Sequence, residues 1–453
     1  MFSQATCRLL PKSHFCRWAV AMVCILALNH SFAQEAAKLP NGEISARSFV
    51  DQSQIVSKYT TELYAHQSTL RIVKGTGYAA YQCSEVSTKE NAAGQIVRLA
   101  IFNILNPTAT ARWLDVCGPG ESSNGITLAN TFVSGPILHV IADKTVRIFF
   151  TSRIASDTAA AFRVLYKDLD VMTGMLSGLQ QARCTVSKKP ETADLAQTTV
   201  QSHLDFLFGP GAGANFSKGI SLACDMVPFD GALYSTVQIK NSANGKTLLL
   251  TNVLMRSRDE GATWELLGAP DPKLLSGDEA SVKILAEPAM TQDSKNIYLH
   301  LRSNTPAHGY VMSKASKQDL YTFGKPLTKW GFGVGRPAIC DFGKPIGIVA
   351  MFTAPTMQMG GEATTRNRCD VVMIDRSYSR YSLAFPIVDY NAVNTPFICA
   401  YNDEMYVSYS TGKRRLTPKF GTSEIVFSKL RREFFVPVKN QPDAAAAPEE
   451  DRR

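Results

Sequence analysis

The sequence predicts an all-β protein, because short apolar strands and turn signals alternate through most of its length. Runs rich in apolar and β-branched residues recur between residues 70 and 427, and Val97–Phe102 and Val146–Phe150 are two of them. Pairs typical of tight turns, such as Asp230-Gly231, separate these runs. Helical periodicity is scarce and is clearest in Thr192–Phe208. A succession of strands over this length favours either two β-sandwiches or a β-propeller.

A loose internal repeat favours the propeller. Each cycle consists of a strand, a turn, a second strand, a polar turn with an acidic residue, an aromatic residue and a proline. Ser313–Pro326 and Leu165–Gln180 are degenerate copies of the hairpin in this cycle. About six cycles of roughly 60 residues fit the span, an ordinary length for a blade. The specific prediction is therefore a six-bladed β-propeller.

The segment Ser257–Trp264, with the pattern S-x-D-x-G-x-T-W, predicts a hairpin turn held by its own hydrogen bonds. Asp259 is placed to accept hydrogen bonds from backbone N–H groups of the turn. Gly261 is suited to the positive φ that a tight turn requires. Trp264 then opens the returning strand, where we expect it to fill the layer beneath.

Four segments are predicted along the chain. Residues 1–33 have a basic start, an apolar run too short for a confident membrane span and the small-x-small sequence Ser31-Phe32-Ala33, as in an export signal. The alternative is an uncleaved N-terminal anchor. Residues 34–69 are assigned as a lead-in, 70–436 as the propeller domain and 437–453 as a disordered tail. The export signal predicts a secreted or periplasmic protein, with no stable membrane span once the signal is removed.

Composition excludes some classes of function. The net charge is +9, but no run of Lys and Arg with interleaved aromatic residues is present, so we predict no nucleic-acid partner. A mild basic excess suits an anionic substrate. Seven of the ten cysteines lie beyond residue 33, without C-x-x-C spacing, so we expect no metal site and no cofactor. Their odd number leaves at least one free thiol, and several are expected to be buried as apolar residues.

The hairpin at Ser257–Trp264 resembles the Asp-box of the sialidase (BNR) superfamily, in which the box marks an outer hairpin of a propeller blade. Two further motifs are similar to that family. Arg71, in Leu70-Arg71-Ile72-Val73, stands where the family has the first of three arginines that bind a substrate carboxylate, although Val73 replaces a proline. Glu287-Pro288 resembles the segment that carries the catalytic glutamate, and Arg302 ends the strand that follows.

The resemblance implies a role for each of these positions. Arg71 and Arg302 would bind the substrate's anionic group, and Glu287 would be the base toward a nucleophile. The third arginine is assigned to Arg366, with Arg336 as the alternative. Arginine suits this role because its guanidinium stays charged and binds carboxylates in bidentate geometry.

The sequence departs from the family at the two remaining catalytic positions. The loop Ser87–Gln95, where the family has its acidic aspartate, contains only Glu90 as a substitute. Thr395 stands where the family has its tyrosine nucleophile, with Tyr390 and Tyr401 nearby, and we assign the nucleophile to Tyr390.

The leading prediction is thus an exported sialidase-like glycoside hydrolase that acts on an acidic or otherwise decorated glycan. One alternative is a propeller that binds a glycan or a protein without catalysis. Another is a polysaccharide lyase acting on uronic acids, with a base such as His300. Asp225 is expected either to line the central channel of the propeller or to cap a turn.

Overall fold

The computed structural model describes residues 50–157, 161–186, 191–222, 224–240, 250–271, 285–302, 310–330, 336–343, 346–355, 366–374, 385–388, 393–412 and 423–435. These residues form an all-β structure with very few helices, which confirms the predicted fold class. The sheets are arranged as a β-propeller, in which five blades are recognised. The predicted export signal and C-terminal tail lie outside the described residues.

The first half of the chain forms two four-stranded antiparallel sheets. The N-terminal strand β1 (Val50–Ile55) leads to sheet I, in the order β2 (Tyr64–Val73), β3 (Thr76–Ser84), β4 (Ile96–Asn103) and β5 (Arg112–Cys117). A small hairpin of β6 (Ser122–Ser123) and β7 (Ile126–Thr127) follows. Sheet II consists of β8 (Ser134–Ile141), β9 (Thr145–Arg153), β10 (Phe162–Asp170) and β11 (Gln180–Gln181).

Sheet III is the largest, because two short strands extend its outer edge. Its strands are β12 (Arg183–Thr185), β13 (Thr192–Asp194), β14 (Gly219–Leu222), β15 (Val227–Phe229), β16 (Ala232–Lys240), β17 (Leu250–Ser257) and β18 (Thr263–Leu266). The strand β12 runs parallel to β18, whereas β14 to β18 pair antiparallel. The segment predicted as a helix is confirmed as α2 (Gln197–Phe208), which buries Val200 and Leu204. A short helix, α1 (Pro107–Thr110), precedes β5.

Three sheets complete the described structure. Sheet IV contains β19 (Ala286–Gln292), β20 (Asn296–Arg302), β21 (Tyr310–Ser316), β22 (Asp319–Phe323) and β23 (Leu327–Trp330). Sheet V contains β24 (Ala338–Asp341), β25 (Ile348–Pro355), β26 (Arg366–Ile374) and β27 (Phe385–Val388). Sheet VI contains β28 (Val393–Tyr401), β29 (Glu404–Thr411) and β30 (Glu424–Leu430), and β1 pairs antiparallel with β30 as its outer strand.

The hydrophobic core is divided into clusters that lie between successive sheets. Trp264 of sheet III packs edge-on against Phe149 of sheet II, with 6.2 Å between ring centroids. Phe427 of sheet VI packs in the same way against Phe102 of sheet I, at 5.0 Å. Equivalent clusters join sheets I to II, III to IV, IV to V and V to VI. The strands β2, β8, β14, β19, β24 and β28 each end a sheet, and most of them contact the corresponding strand of a neighbouring sheet. We therefore describe them as the innermost strands.

The hairpin at Ser257–Trp264 has the predicted hydrogen bonds. The Asp259 carboxylate accepts from the Ser257 hydroxyl at 2.7 Å and from the Thr263 backbone N–H at 2.8 Å. The Ser257 Oγ in turn accepts the backbone N–H of Gly261 at 2.8 Å. Gly261 has φ +87°, and Trp264 is fully buried. These predictions from the sequence are confirmed.

All seven cysteines beyond residue 33 are free thiols, and six of them are buried. The expectation that several cysteines serve as buried apolar residues is confirmed. Among the helices that the structure describes, none has the length and apolar character needed to cross a membrane.

Candidate functional site

Four of the innermost strands carry a β-bulge near their N-terminal ends. At each bulge the pairing with the next strand shifts in register, and one residue takes a positive φ. These residues are Gln67 (53°), Gly135 (64°), Glu287 (41°) and Thr395 (45°). A bulge bends its strand and redirects a side chain, and bulges are frequent beside functional sites. The repeated bulge therefore marks one end of the innermost strands as the candidate site.

Side chains from the preceding sheet bond the backbone N–H of three of these bulges. The acceptors are Thr395 Oγ1 for Gln67 N (3.2 Å), Gln82 Oε1 for Gly135 N (3.2 Å) and Gln238 Oε1 for Glu287 N (2.8 Å). Gln82 and Gln238 are both almost fully buried. Each bulge is thus fixed by its neighbour, so the geometry at this end depends on contacts between sheets.

Glu287 and Arg302 form an ion pair at the bulge of sheet IV. Arg302 Nη1 lies 2.5 Å from Glu287 Oε2, and the two side chains are 17% and 22% exposed. Ala286 is the register partner of Arg302, which brings the end of β20 beside the start of β19. The structure therefore brings together two of the residues predicted from the sequence, and both are accessible to a small ligand.

Arg71 lies on β2, four residues beyond the bulge at Gln67, and pairs with Asp225. Its Nη2 contacts the Asp225 carboxylate and donates to the Met226 carbonyl at 3.3 Å. Its guanidinium also lies over the Phe397 ring, 5.1 Å from the centroid. Burial would lower the pKa of Arg71, but the charge and hydrogen bond of Asp225 raise it above its usual value. Arg71 therefore remains charged. Asp225 lines a cavity beside it, and its carboxylate also accepts the Met226 backbone N–H at 2.7 Å, so both interpretations from the sequence describe it in part.

Asp225, Arg336 and Phe397 line a cavity of about 20 Å³. That volume holds about one water molecule and is too small for a sugar ring. Arg336 is 7% exposed, and it makes no hydrogen bond or ion pair within the described part of the chain. Arg336, the alternative to Arg366 as third arginine, thus lines the same cavity as Asp225, the partner of Arg71.

Arg366 begins β26, where its backbone is opposite Pro355. Its side chain is outside the described structure, as is the whole of Tyr390, so neither assignment is tested. Tyr401 lies at the far end of β28, opposite Glu404 in the turn. It is therefore remote from the bulge at Thr395.

Glu90 and Thr395 both contact Gln67. Gln67 Nε2 donates to Glu90 Oε1 at 3.2 Å, while its backbone N–H donates to Thr395 Oγ1. Gln82 Nε2 also donates to Glu90 Oε1 at 3.2 Å. The two positions to which the resemblance assigns the acid and the nucleophile are therefore in contact with the same residue. The sequence signal for Gln82 is a polar amide within the otherwise apolar run Tyr78–Cys83, whereas no pattern distinguishes Gln67, and neither residue was predicted.

Tyr64 contacts the same glutamine as Glu90, Gln82. Its hydroxyl accepts a hydrogen bond from Gln82 Nε2 at 2.9 Å. Burial raises the pKa of Tyr64 well above its usual value, and the negative charge of Glu90 raises it further. Tyr64 is therefore a neutral phenol and not an activated nucleophile.

His300 is fully buried between its strand neighbours, and its Nε2 lies 2.7 Å from Thr291 Oγ1. It is therefore out of reach of a polysaccharide in this structure. Burial lowers the pKa of His300 to about 3. The imidazole is neutral at the pH values at which a catalytic base of this kind would act.

We expect this histidine to make the protein less stable in acid. Below the ordinary pKa of 6.5, the unfolded chain binds a proton at His300, whereas the native protein binds it only near pH 3. Stability from this group is thus complete above pH 6.5 and falls by about 1.4 kcal/mol per pH unit as the pH decreases. Urea unfolding of the wild type and His300→Gln between pH 7 and pH 4 measures this slope. An equal pH slope in the two proteins would contradict the prediction.

Among the described residues, no three His, Cys, Asp or Glu side chains are grouped so that they could hold a metal ion. The site's chemistry, as far as it is described, consists of the ion pair Glu287–Arg302, the ion pair Arg71–Asp225 and the Glu90 carboxylate. Two charged guanidiniums can bind an anionic group, and the three carboxylates beside them can accept a proton.

No protein-family model matches the chain, and no curated protein matches it by sequence. Solved structures do match it. Trypanosoma rangeli sialidase superposes with a TM-score of 0.56 at 13% identity, over 82% of this chain and 55% of that one. A Hadza microbial sialidase has a TM-score of 0.58 at 10% identity, over 85% and 69% of the two chains. A Dyadobacter fermentans protein described as of unknown function has a TM-score of 0.56 at 11% identity, over 84% and 98%.

This chain spans just over half the length of the Trypanosoma rangeli sialidase chain. At identities this low, the likeness concerns the fold and not the activity. The protein has a sialidase-like β-propeller fold.

Proposed function

We propose that the protein is an exported, sialidase-like glycoside hydrolase that acts on an acidic or otherwise decorated glycan. The observation that carries the proposal is the Glu287–Arg302 ion pair, held at a bulge on an innermost strand of a sialidase-like fold. Trypanosoma rangeli sialidase has been solved in complex with sialic acid, a sugar that carries a carboxylate. An anionic glycan is therefore the ligand class that fits the arginines of this chain.

The proposed architecture is a six-bladed propeller. Six sheets of at least four strands are described, and a hydrophobic cluster lies between each sheet and the next, including sheets VI and I. The outer strand β1 in sheet VI closes the ring in this proposal.

The proposed roles follow from charge. When substrate binds, Arg302 exchanges its ion pair with Glu287 for one with the substrate carboxylate. The Glu287 carboxylate is then free to accept a proton. Arg71 and Arg366 are the proposed second and third arginines for this group. Arg336, which lines the cavity beside Asp225, is the alternative to Arg366. Glu90 is the candidate acid, since Gln67 and Gln82 hold it at the same end of the strands. Tyr390 is the proposed nucleophile.

A specific observation favours a second function, glycan binding without catalysis. The Thr395 hydroxyl, at the position where the resemblance implies a tyrosine, is engaged by Gln67 N and Ser410 Oγ. The loop that holds Glu90 contains no aspartate. A uronic-acid lyase that uses His300 as base is disfavoured, because this imidazole is fully buried.

The test is turnover of sialosides, other aryl glycosides and uronic-acid polysaccharides by the mature protein. We expect glycan hydrolysis, and a loss of about 10²–10⁴-fold in kcat/KM for Glu287→Gln. Arg302→Ala is expected to lose turnover as well. Arg256→Ala is the matched control. Arg256 forms a similarly exposed ion pair with Glu265, with 2.5 Å between Nη2 and Oε2, on a different hairpin from Glu287. We expect it to retain activity.

Other outcomes would redirect the proposal. Glycan binding without turnover, weakened by Arg302→Ala, would establish the binding protein instead. Release of an unsaturated product would establish a lyase. Turnover that is equal in Glu287→Gln and the wild type would remove Glu287 from the mechanism, and an inactive Tyr390→Phe would place Tyr390 in it.

A further inference from the structure

A second cavity lies between sheets II and III, at the opposite end of the strands from Glu287. Its volume is about 400 Å³, within the range of about 300–1,000 Å³ usual for small-molecule sites. Leu233 lines it, and Gln238, which bonds Glu287 N, is five residues further along β16. At about 3.4 Å per residue in an antiparallel strand, Leu233 and Gln238 are roughly 17 Å apart along β16, so the cavity is separate from the Glu287 site.

A histidine–glutamate pair defines the polar wall of this cavity. His139 Nε2 lies 2.5 Å from Glu260 Oε2, and both residues line the cavity. His139 is 8% exposed, whereas the Glu260 side chain is 55% exposed. Burial lowers the pKa of His139, and the charges of Arg71 and Arg147 oppose the effect of Glu260 on it. A neutral His139 donates to Glu260, which leaves the other carboxylate oxygen open to a ligand.

The backbone of Glu260 is held in place by Arg147 of sheet II. Arg147 Nη1 donates to the Glu260 carbonyl at 2.9 Å. Arg147 is itself fixed by two hydrogen bonds to Asp168, at 2.8 and 2.9 Å, and by the Tyr166 ring 4.2 Å away. The Glu260 carboxylate is therefore presented by a rigid support, which is what a binding group needs.

Arg258 provides a hydrogen-bond donor in the same cavity. It is exposed, lines the cavity, and makes no hydrogen bond or ion pair within the described part of the chain. The rest of the lining is largely apolar and includes Phe229 and Leu233. The charges of Arg258 and Glu260 balance, so the cavity favours neither an anion nor a cation. Ser257 also lines the cavity, but its hydroxyl is committed to Asp259 and Gly261, which excludes it as a nucleophile.

We propose that this cavity is a second ligand site, for a neutral pyranose sugar. A pyranose has a rim of adjacent hydroxyl groups and apolar C–H faces. The hydroxyls would donate to Glu260 and accept from Arg258, while a C–H face would lie on the apolar lining. The site is independent of the proposed function and holds whether or not the channel is catalytic.

The test is saturation-transfer NMR and titration calorimetry of the mature protein with methyl α-glycosides of glucose, galactose, mannose and N-acetylglucosamine. We expect at least one glycoside to bind, with an affinity at least about fivefold weaker in Arg258→Ala and in Glu260→Gln. Glu265→Gln, on the same hairpin, and Glu287→Gln, in the channel, are expected to bind as the wild type does. Thermal unfolding checks that each variant is folded. If Glu260→Gln does not fold, the affinity of Arg258→Ala alone tests the proposal.

Four results would overturn the proposal. The first is no binding of any glycoside. The second is binding that Arg258→Ala leaves unchanged, and the third is binding that Glu287→Gln abolishes, since this would locate the sugar in the channel. Displacement of the glycoside by acetate or sulfate would also overturn it, because the cavity would then be an anion site.

Discussion

Arg98→Ala is expected to lower the free energy of unfolding by about 3–5 kcal/mol, because it leaves a buried carboxylate without its cation. Arg98 Nη1 donates to Glu62 at 2.8 Å and to Glu85 at 3.0 Å, and its Nε donates to Asp115 at 2.6 Å. Glu62 is fully buried, and its only other hydrogen-bond donor of comparable length among the described groups is the Tyr81 hydroxyl, at 2.8 Å. Urea unfolding at pH 7 measures the effect.

The neighbouring glutamate offers a matched control. Glu85 pairs with the same guanidinium but is 39% exposed, so we expect Glu85→Ala to cost about 0–1 kcal/mol. The double variant Arg98→Met, Glu62→Leu should recover much of the loss, since it removes both buried charges. A loss in Arg98→Ala no greater than in Glu85→Ala would show that the buried pair contributes little.

The loss in Arg98→Ala should also depend on pH. Burial raises the pKa of Glu62 above 4.5 even in the presence of Arg98, and removal of Arg98 raises it further. The native variant then keeps its proton above pH 4.5, where the unfolded chain has released it. The stability of the variant is therefore highest below pH 4.5 and falls as the pH rises, so its deficit relative to the wild type increases toward neutral pH.

Trp264→Ala is expected to destabilise the protein by about 3–5 kcal/mol, the usual cost of removing a buried tryptophan. Trp264 is fully buried between sheets II and III and contacts the Phe149 ring edge-on. Alanine leaves a cavity between the two sheets, because rigid strands on either side prevent collapse. Chemical unfolding monitored by far-UV circular dichroism measures the change.

Two further variants separate volume from polarity. Trp264 Nε1 is buried and has no hydrogen-bond partner within the described structure, so Trp264→Phe removes an unsatisfied donor while it keeps an aromatic ring. We expect Trp264→Phe to cost much less than Trp264→Ala. Trp113→Ala, at a tryptophan that is 41% exposed, is expected to cost about 1 kcal/mol through its 2.8 Å bond to the Val56 carbonyl. Equal losses in all three variants would refute the packing argument.

Local features of the structure follow from the sequence because they depend on neighbours in the chain. The hydrogen bonds of Ser257 and Asp259 span two to four residues, so the motif itself specified them. The helix at Gln197–Phe208 was predicted from apolar spacing, although it begins five residues later than Thr192, where a short strand forms. That strand pairs with β12, a tertiary contact that periodicity does not reveal.

The sequence therefore determined the all-β class, the strand–turn succession, the Ser257–Trp264 hairpin and the candidate pair Glu287 and Arg302. Only the tertiary structure decided which side chains meet in the channel. Arg71 and Asp225 are 154 residues apart, and Gln238 and Glu287 are 49 apart. Such partners belong to different sheets, and their contact depends on how the innermost strands converge. No local pattern encodes that convergence, because it results from the packing of each sheet against the next.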